Sequence, residues 1–394
     1  MRGKISKIIA RKTGVDWAIF GGVTLVLAGF LVYVTHLTPY RQPVQTIYTT
    51  APSDATSFQR ARVAGEVTDG ALSATVVDGA QAGETVTVLI SPLATDNVSP
   101  GDAILITKNP TANTQNQTFS YIDRWRLPAL GVLLAFFVLL VTLVGGRRWV
   151  ASIIGLLVSV LIVGWFMIPN IIQGGNVIIT TIISAYIIAI VSILIAHGCR
   201  KRTFISIACI CVILTGIMLI AGLATWLTAL SGIADELAFY LAKDNQWLDM
   251  RGLIISGIII ASLGVLDDVV TTQVATVEEL HKSNPALSHR ELFRAASSVG
   301  SEHITSLVNT LALAYVGASL PFIIMLTMRQ TNSPLITVNG EYIATEVVRT
   351  LVASIGLVVA VPVSTGVATW VYTRSAKRDA TRRSSNQLVF HKSS

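Results

Sequence analysis

Residues 251–268 read RGLIISGIIIASLGVLDD, an apolar run that starts at Arg251 and closes on two adjacent acids, Asp267 and Asp268. A charged segment follows, and Glu302-His303 then open another apolar run. Carboxylates at a membrane boundary are costly to bury, so this stretch carries the strongest functional signal in the chain. The run itself is short for a bilayer. It reaches spanning length only if Arg251 snorkels outward or the two acids sit at the inner boundary.

Further runs of comparable character lie on both sides. They cover Trp17–Val34, Leu127–Leu143, Val150–Met167, Val177–Ala196 and Phe204–Leu227 before this one, then Ile304–Met325 and Ile343–Val371. With Leu253–Val265 they predict about eight transmembrane helices, and seven is the main competing count. Composition agrees: 52% of residues are hydrophobic and 13% charged, with a mean hydropathy of +0.65. The fold class expected is an all-α polytopic membrane protein with a small extracytoplasmic β-rich domain between the first two spans.

Orientation follows from where Lys and Arg collect in short loops. Lys4, Lys7, Arg11 and Lys12 precede the first span, Arg147-Arg148 separate the second and third, and Arg200-Lys201-Arg202 separate the fourth and fifth. The segment 374–394 adds Arg374, Lys377, Arg378, Arg382, Arg383 and Lys392. Eight crossings put all four clusters on one face, so both termini are expected in the cytoplasm of a bacterial cell. The net charge of +7 then reflects this inner face and no nucleic-acid footprint. Residues 1–35 read as an uncleaved anchor, because Thr35–Tyr40 shows no small-x-small cleavage site. All seven tryptophans lie at or near predicted span ends, a boundary belt that fixes depth.

Residues 36–124 form the one sizeable polar segment, expected outside. Ser73–Val77, Glu84–Ile90 and Ala103–Thr107 are short Val- and Thr-rich runs, and Gly79, Gly83 and Pro100-Gly101-Asp102 supply turns. A small β-barrel or sandwich is predicted, with Gln42–Gln59 and Asn109–Thr118 irregular. No cysteine occurs there. The three cysteines, Cys199, Cys209 and Cys211, lack metal-site spacing and read as small packing residues.

The cytoplasmic helical loop 266–303 is expected to be structured. Val274, Val277 and Leu280 recur at helical spacing, Asn284-Pro285 break the helix, and Ser288-His289-Arg290-Glu291 has the form of a capping box. Leu292, Ala295, Ala296 and Val299 make the next stripe. It carries no basic recognition face, so DNA binding is a poor reading.

Several ordered motifs resemble one family. They are Gly264-Val265-Leu266-Asp267-Asp268, Glu291-Leu292-Phe293-Arg294-Ala295, Gly300-Ser301-Glu302-His303-Ile304, Val308-Asn309-Thr310-Leu311 and Ala314-Tyr315-Val316-Gly317-Ala318-Ser319-Leu320-Pro321. Together they resemble the YibE/F-like family of bacterial multi-pass membrane proteins. The resemblance covers about residues 125–373 and implies a multi-helix membrane core, but no settled activity. Family members often carry Gly-Arg-Asp-His where this chain has Gly300-Ser301-Glu302-His303, so the acid stays and its basic neighbour is missing.

Two sets of candidate site residues emerge. Asp267, Asp268, Glu302 and His303 are candidates to converge on the inner rim and bind a cation or relay protons; the competing reading makes them ordinary boundary residues. Asn309, Thr310 and Pro321 mark either a polar pathway or helix packing, with the stripe Gly257, Ala261 and Gly264 as the surface that would receive them. Glu346 and Arg349 are spaced to pair. No hydrolytic, zinc-protease or phosphate-loop motif is present, so no enzyme, catalytic residue or cofactor is expected. Transport of a small solute or ion is the leading reading; a receptor or assembly scaffold, using the outer domain to hold a protein partner, is the alternative.

Overall fold

Alternation of side chains is what closes the first unit. In the computed structural model, which describes residues 58–68, 70–79, 81–91, 98–108, 119–328 and 334–391, five short strands precede the helices. They are β1 (Gln59–Val63), β2 (Ala71–Val76), β3 (Thr85–Leu89), β4 (Ala103–Lys108) and β5 (Phe119–Arg124). Ala61, Leu72, Ala74, Val76, Val88, Ile104, Ile106 and Phe119 point inward and are buried. Period-2 patterning of this kind requires a partner sheet or closure. Here the order β1-β2-β3-β5-β4 closes a barrel, with β3 and β5 parallel and the other pairs antiparallel. Gly79, Gly83 and Gly101 all take positive φ at the turns predicted for them. The expected irregular segments Gln42–Gln59 and Asn109–Thr118 lie almost wholly outside the described residues, though Gln59 itself opens β1.

The chain divides between Gly146 and Arg147 into two compact units, and the second is helical. Its elements are α1 (Leu127–Ile162, begun in the first unit), α2 (Ile168–Ile172), α3 (Val177–His197), α4 (Lys201–Leu227) and α5 (Glu236–Asp244), then α6 (Met250–Ser283), α7 (His289–Met328), α8 (Pro334–Asn339) and α9 (Glu341–His391). Among the described residues, seven helical stretches are long and apolar enough to cross a membrane. Each coincides with one of the runs expected from Leu127 onward, while Trp17–Val34 lies outside the described residues.

Helix bounds differ from expectation in three places. Arg147-Arg148 do not form a loop, since α1 runs through them. Asp267 and Asp268 do not end a helix; α6 continues sixteen residues beyond Asp267 to Ser283. Glu302-His303 do not open a helix, because α7 begins at His289. In α6 the cause is packing: no Pro or Gly stands between Asp267 and Ser283, and charged residues do not stop a helix that still has an apolar face to bury. In α1 and α7 the helix runs on although Gly145-Gly146 and Gly300 stand beside the charged residues, since a single Gly costs a helix only about 1 kcal/mol. Val269, Val270, Val274 and Val277 are all buried and carry α6 onward. At ~1.5 Å per residue a 34-residue helix measures about 51 Å, well past a hydrocarbon core of ~30 Å. Residues 266–303 are helical on both sides of the turn Asn284–Ser288, as expected from Asn284-Pro285. The capping box there forms as expected: the Ser288 amide donates to Glu291 Oε2 at 2.9 Å, and the Glu291 amide reaches Ser288 Oγ at 3.4 Å.

α6 is the axis of the helical unit, packing against α3, α4, α7 and α9. Ile258, Ile259, Leu266 and Val270 from α6 meet Ile210, Leu214 and Ile217 from α4 and Leu357 and Ala360 from α9 in one core. In a lipid setting such packing relies on close contact and buried hydrogen bonds more than on exclusion of water. Both are present. A methyl group at Gly356 would run into Ile217 Cδ1. Thr181 Oγ1 donates to Ser256 Oγ at 2.7 Å, and Tyr186 and Thr215 hydroxyls are 2.6 Å apart. Cys209 is buried in the same core. Arg349 Nη1 and Glu346 Oε1 pair at 2.6 Å, as their spacing predicts.

Candidate functional site

The polar groups of the helical core concentrate on α6 and α7. On α6, Leu266 and Val269 face inward, and Asp267 between them is half-buried. Its carboxylate turns toward α3, where Ser192 Oγ donates to Oδ2 at a long 3.4 Å. Its other oxygen, Oδ1, is buried and has no hydrogen-bond partner among the described residues. Gly155 lets α1 approach the same serine closely: a methyl group there would lie 3.3 Å from Ser192 Oγ. The acid thus has a single weak partner, on α3. One and a half turns along α3, His197 Nδ1 is also buried without a partner. Asp268 is exposed.

The acids of α7 stand apart from this arrangement. Glu302 is exposed and His303 half-buried, and among the described residues no three His, Cys, Asp or Glu side chains are grouped to hold a metal ion. Glu302 instead joins Ser301, Thr305, Ser306 and Asn309 along a shallow groove of about 640 Å³. Thr310 is exposed beside it, its hydroxyl donating to the Ser306 carbonyl at 2.9 Å. Pro321 lies inside α7, which runs on to Met328. The stripe Gly257, Ala261 and Gly264 does not receive α7 as expected. Among the described residues nothing lies within 4 Å of a methyl group placed at Gly264 or Gly317, and Gly257 faces Arg349 instead. The contact between α6 and α7 is made one helical segment away, by Gln273 and Gly300.

Two residues that carry this geometry escape a reading of the sequence. Gln273 is 3% exposed, and its Nε2 donates to the Ala296 carbonyl at 2.8 Å and to Thr365 Oγ1 at 2.7 Å, tying α6 to α7 and α9. Its one signal is an amide set among Val269, Val270, Val274 and Val277. Ser192 carries none, being one more hydroxyl in an apolar run.

At the end of the unit holding the α6–α7 turn, Glu278 bridges Lys282 at 3.0 Å and Arg202 at 3.7 Å. These pairs are partly exposed and contribute little.

No curated protein and no solved structure matches the chain. The family model described as YibE/F-like protein matches residues 133–374, which takes in every helix of the candidate site, and the chain belongs to that family.

Proposed function

We propose that this chain is an integral membrane protein whose helical core passes protons or a small cation, with Asp267 as the group that accepts them. The family and the seven apolar helices fit an integral membrane protein. The observation that carries the rest is the unpartnered Oδ1 of Asp267. A carboxylate kept in a span with one long hydrogen bond destabilises the fold relative to an apolar residue, and such groups are functional candidates by default. A proton or a cation supplies the compensation that the protein withholds. Ser192 Oγ, beside Oδ2, offers a second oxygen to the same occupant. Asp268, exposed at the next position, gives an exchange point with water.

The test is flux into liposomes containing purified protein, read with a pH-sensitive dye and with Na⁺ or K⁺ gradients. Asp267→Asn is expected to lower the rate at least tenfold while leaving Cys209→Ala near wild type. Equal flux in wild type and Asp267→Asn rejects the assignment.

A second reading rests on the barrel. Five-stranded Greek-key barrels often bind ligands on the face of strands 2 and 3. Here that face exposes Ser73, Thr85 and Thr87. A receptor or scaffold role predicts copurification of a partner that is lost when these three are replaced by Lys.

A further inference from the structure

α7 is the least covered of the long spans after α1: 6% of its apolar window is buried. One side packs on α6 and α9 through Leu292, Ala296 and Gly300. The opposite side exposes Glu302, Ser306, Asn309, Leu313, Val316 and Leu320. Ala295 and Val299, also exposed, extend the same line toward the turn. Every step along it is four or three residues in strict alternation. That is the 3.5-residue period of a coiled-coil seam, which keeps one line of side chains facing a partner helix. From Glu302 to Leu320 it rises about 27 Å, close to the depth of a hydrocarbon core.

The composition of the seam argues against lipid as its cover. Ser301 and Thr305 donate to carbonyls of their own helix. The side chains of Glu302, Ser306 and Asn309 make no hydrogen bond among the described residues, and they line the groove of about 640 Å³. Hydrocarbon offers a carboxamide no partner, so Asn309 needs protein or water against it.

We propose that a second copy of this chain covers this face, the two α7 helices lying parallel and in register along the seam. A carboxamide both donates and accepts, as a hydroxyl does, so Asn309 and Ser306 complement themselves across a twofold axis. Copies inserted in the same sense bring equal depths together. Leu313, Val316 and Leu320 then meet their own counterparts, and the polar half meets the polar half. Polar residues within a seam also fix register, which an unrelated helix would have to match by coincidence. Glu302 falls at the end of the seam, where water can hydrate both carboxylates. This association does not depend on transport through Asp267, and its test contains no flux measurement.

The test uses a chain carrying Cys199→Ala, Cys209→Ala and Cys211→Ala, with single cysteines introduced by Ser306→Cys, Asn309→Cys or Leu313→Cys. Thr310→Cys and Ala314→Cys serve as exposed positions on α7 off the seam. Membranes are oxidised, and cross-linked products are separated and identified by mass. Disulfide-linked pairs of this chain are expected at least tenfold more often at the three seam positions. Uniform cross-linking at all five, no cross-linking, or a product with a different protein overturns the proposal. Should the cysteine-free chain fail to fold, light scattering of wild type in mild detergent decides: a protein mass of two chains supports it, and 42.1 kDa overturns it.

Discussion

Gln273→Met removes the buried amide that joins three helices and keeps the length of the side chain. Gln273 is 3% exposed and Thr365 and Ala296 are fully buried, so water does not replace the lost bonds. The two hydrogen bonds, at 2.8 Å and 2.7 Å, contribute about 1 kcal/mol each, and interhelical bonds in membranes fall in a similar range of ~0.6–2 kcal/mol. The Thr365 hydroxyl loses its donor, while the Ala296 carbonyl keeps its place in the α7 helix. A loss of about 2 kcal/mol follows, or several degrees in melting temperature at ~2–4 °C per kcal/mol for a domain of this size. Gly300→Ala presses on the same joint from the other side. A methyl group there lies 2.6 Å from Gln273 Oε1 and 2.7 Å from Val361 Cγ1, too close without a shift of α7. Thermal unfolding of the purified protein in detergent, followed by thiol exposure of Cys209, measures both. Equal melting of Gln273→Met and wild type refutes the claim that this amide holds α6, α7 and α9 together.

Other outcomes follow from the same structure. Thiols introduced at 60–110 are expected to react from outside intact cells and those at 284–288 only after permeabilisation; the reverse pattern removes the orientation drawn from the basic clusters. In the barrel, Asp78 is held below its ordinary carboxylate value, first by a side-chain hydrogen bond from Arg60 and then by the Arg60 amide. A carboxyl lowered in the folded state stabilises above its ordinary value and loses that stabilisation as pH falls through the folded one. The pair is about half exposed, so the effect is small. Urea unfolding read by Trp125, whose ring lies 5.3 Å from the Arg60 guanidinium, should show wild type and Asp78→Asn converging as pH drops below about 4. A constant gap between them contradicts this.

Hydropathy made the seven described spans legible, because a run such as Val177–His197 leaves no other reading. It could not give their ends. Beyond Asp268 the helix changes from apolar all round to apolar on one face, with Val270, Val274 and Val277 buried, and nothing in that change marks a boundary. The capping box at Ser288 was legible because it is local: four residues satisfy one another whatever surrounds them. Strands β2, β3 and β4 showed through their Val and Thr content. β1 did not, since Gln59-Arg60-Ala61-Arg62-Val63 hides three buried residues, Gln59 among them, behind two outward arginines. β5 escaped because Phe119-Ser120-Tyr121-Ile122-Asp123-Arg124 buries Phe119 alone. At the candidate site, Asp267 could be singled out from cost alone. That Ser192 would meet it, and that Glu302 would face away along a separate seam, depended on helix rotation, which composition does not encode.

The central claim is that Asp267 exchanges a proton or cation inside the membrane core. Dicyclohexylcarbodiimide, an apolar reagent that modifies protonated carboxyls within membranes, tests it most directly when peptide mass spectrometry reads the adduct. Asp267 is expected to be modified in native membranes, with Asp268 and Glu302 modified far less, and saturating Na⁺, K⁺ or raised pH should slow the reaction at Asp267. An unmodified Asp267, or one modified at a rate that neither cations nor pH alters, contradicts the account.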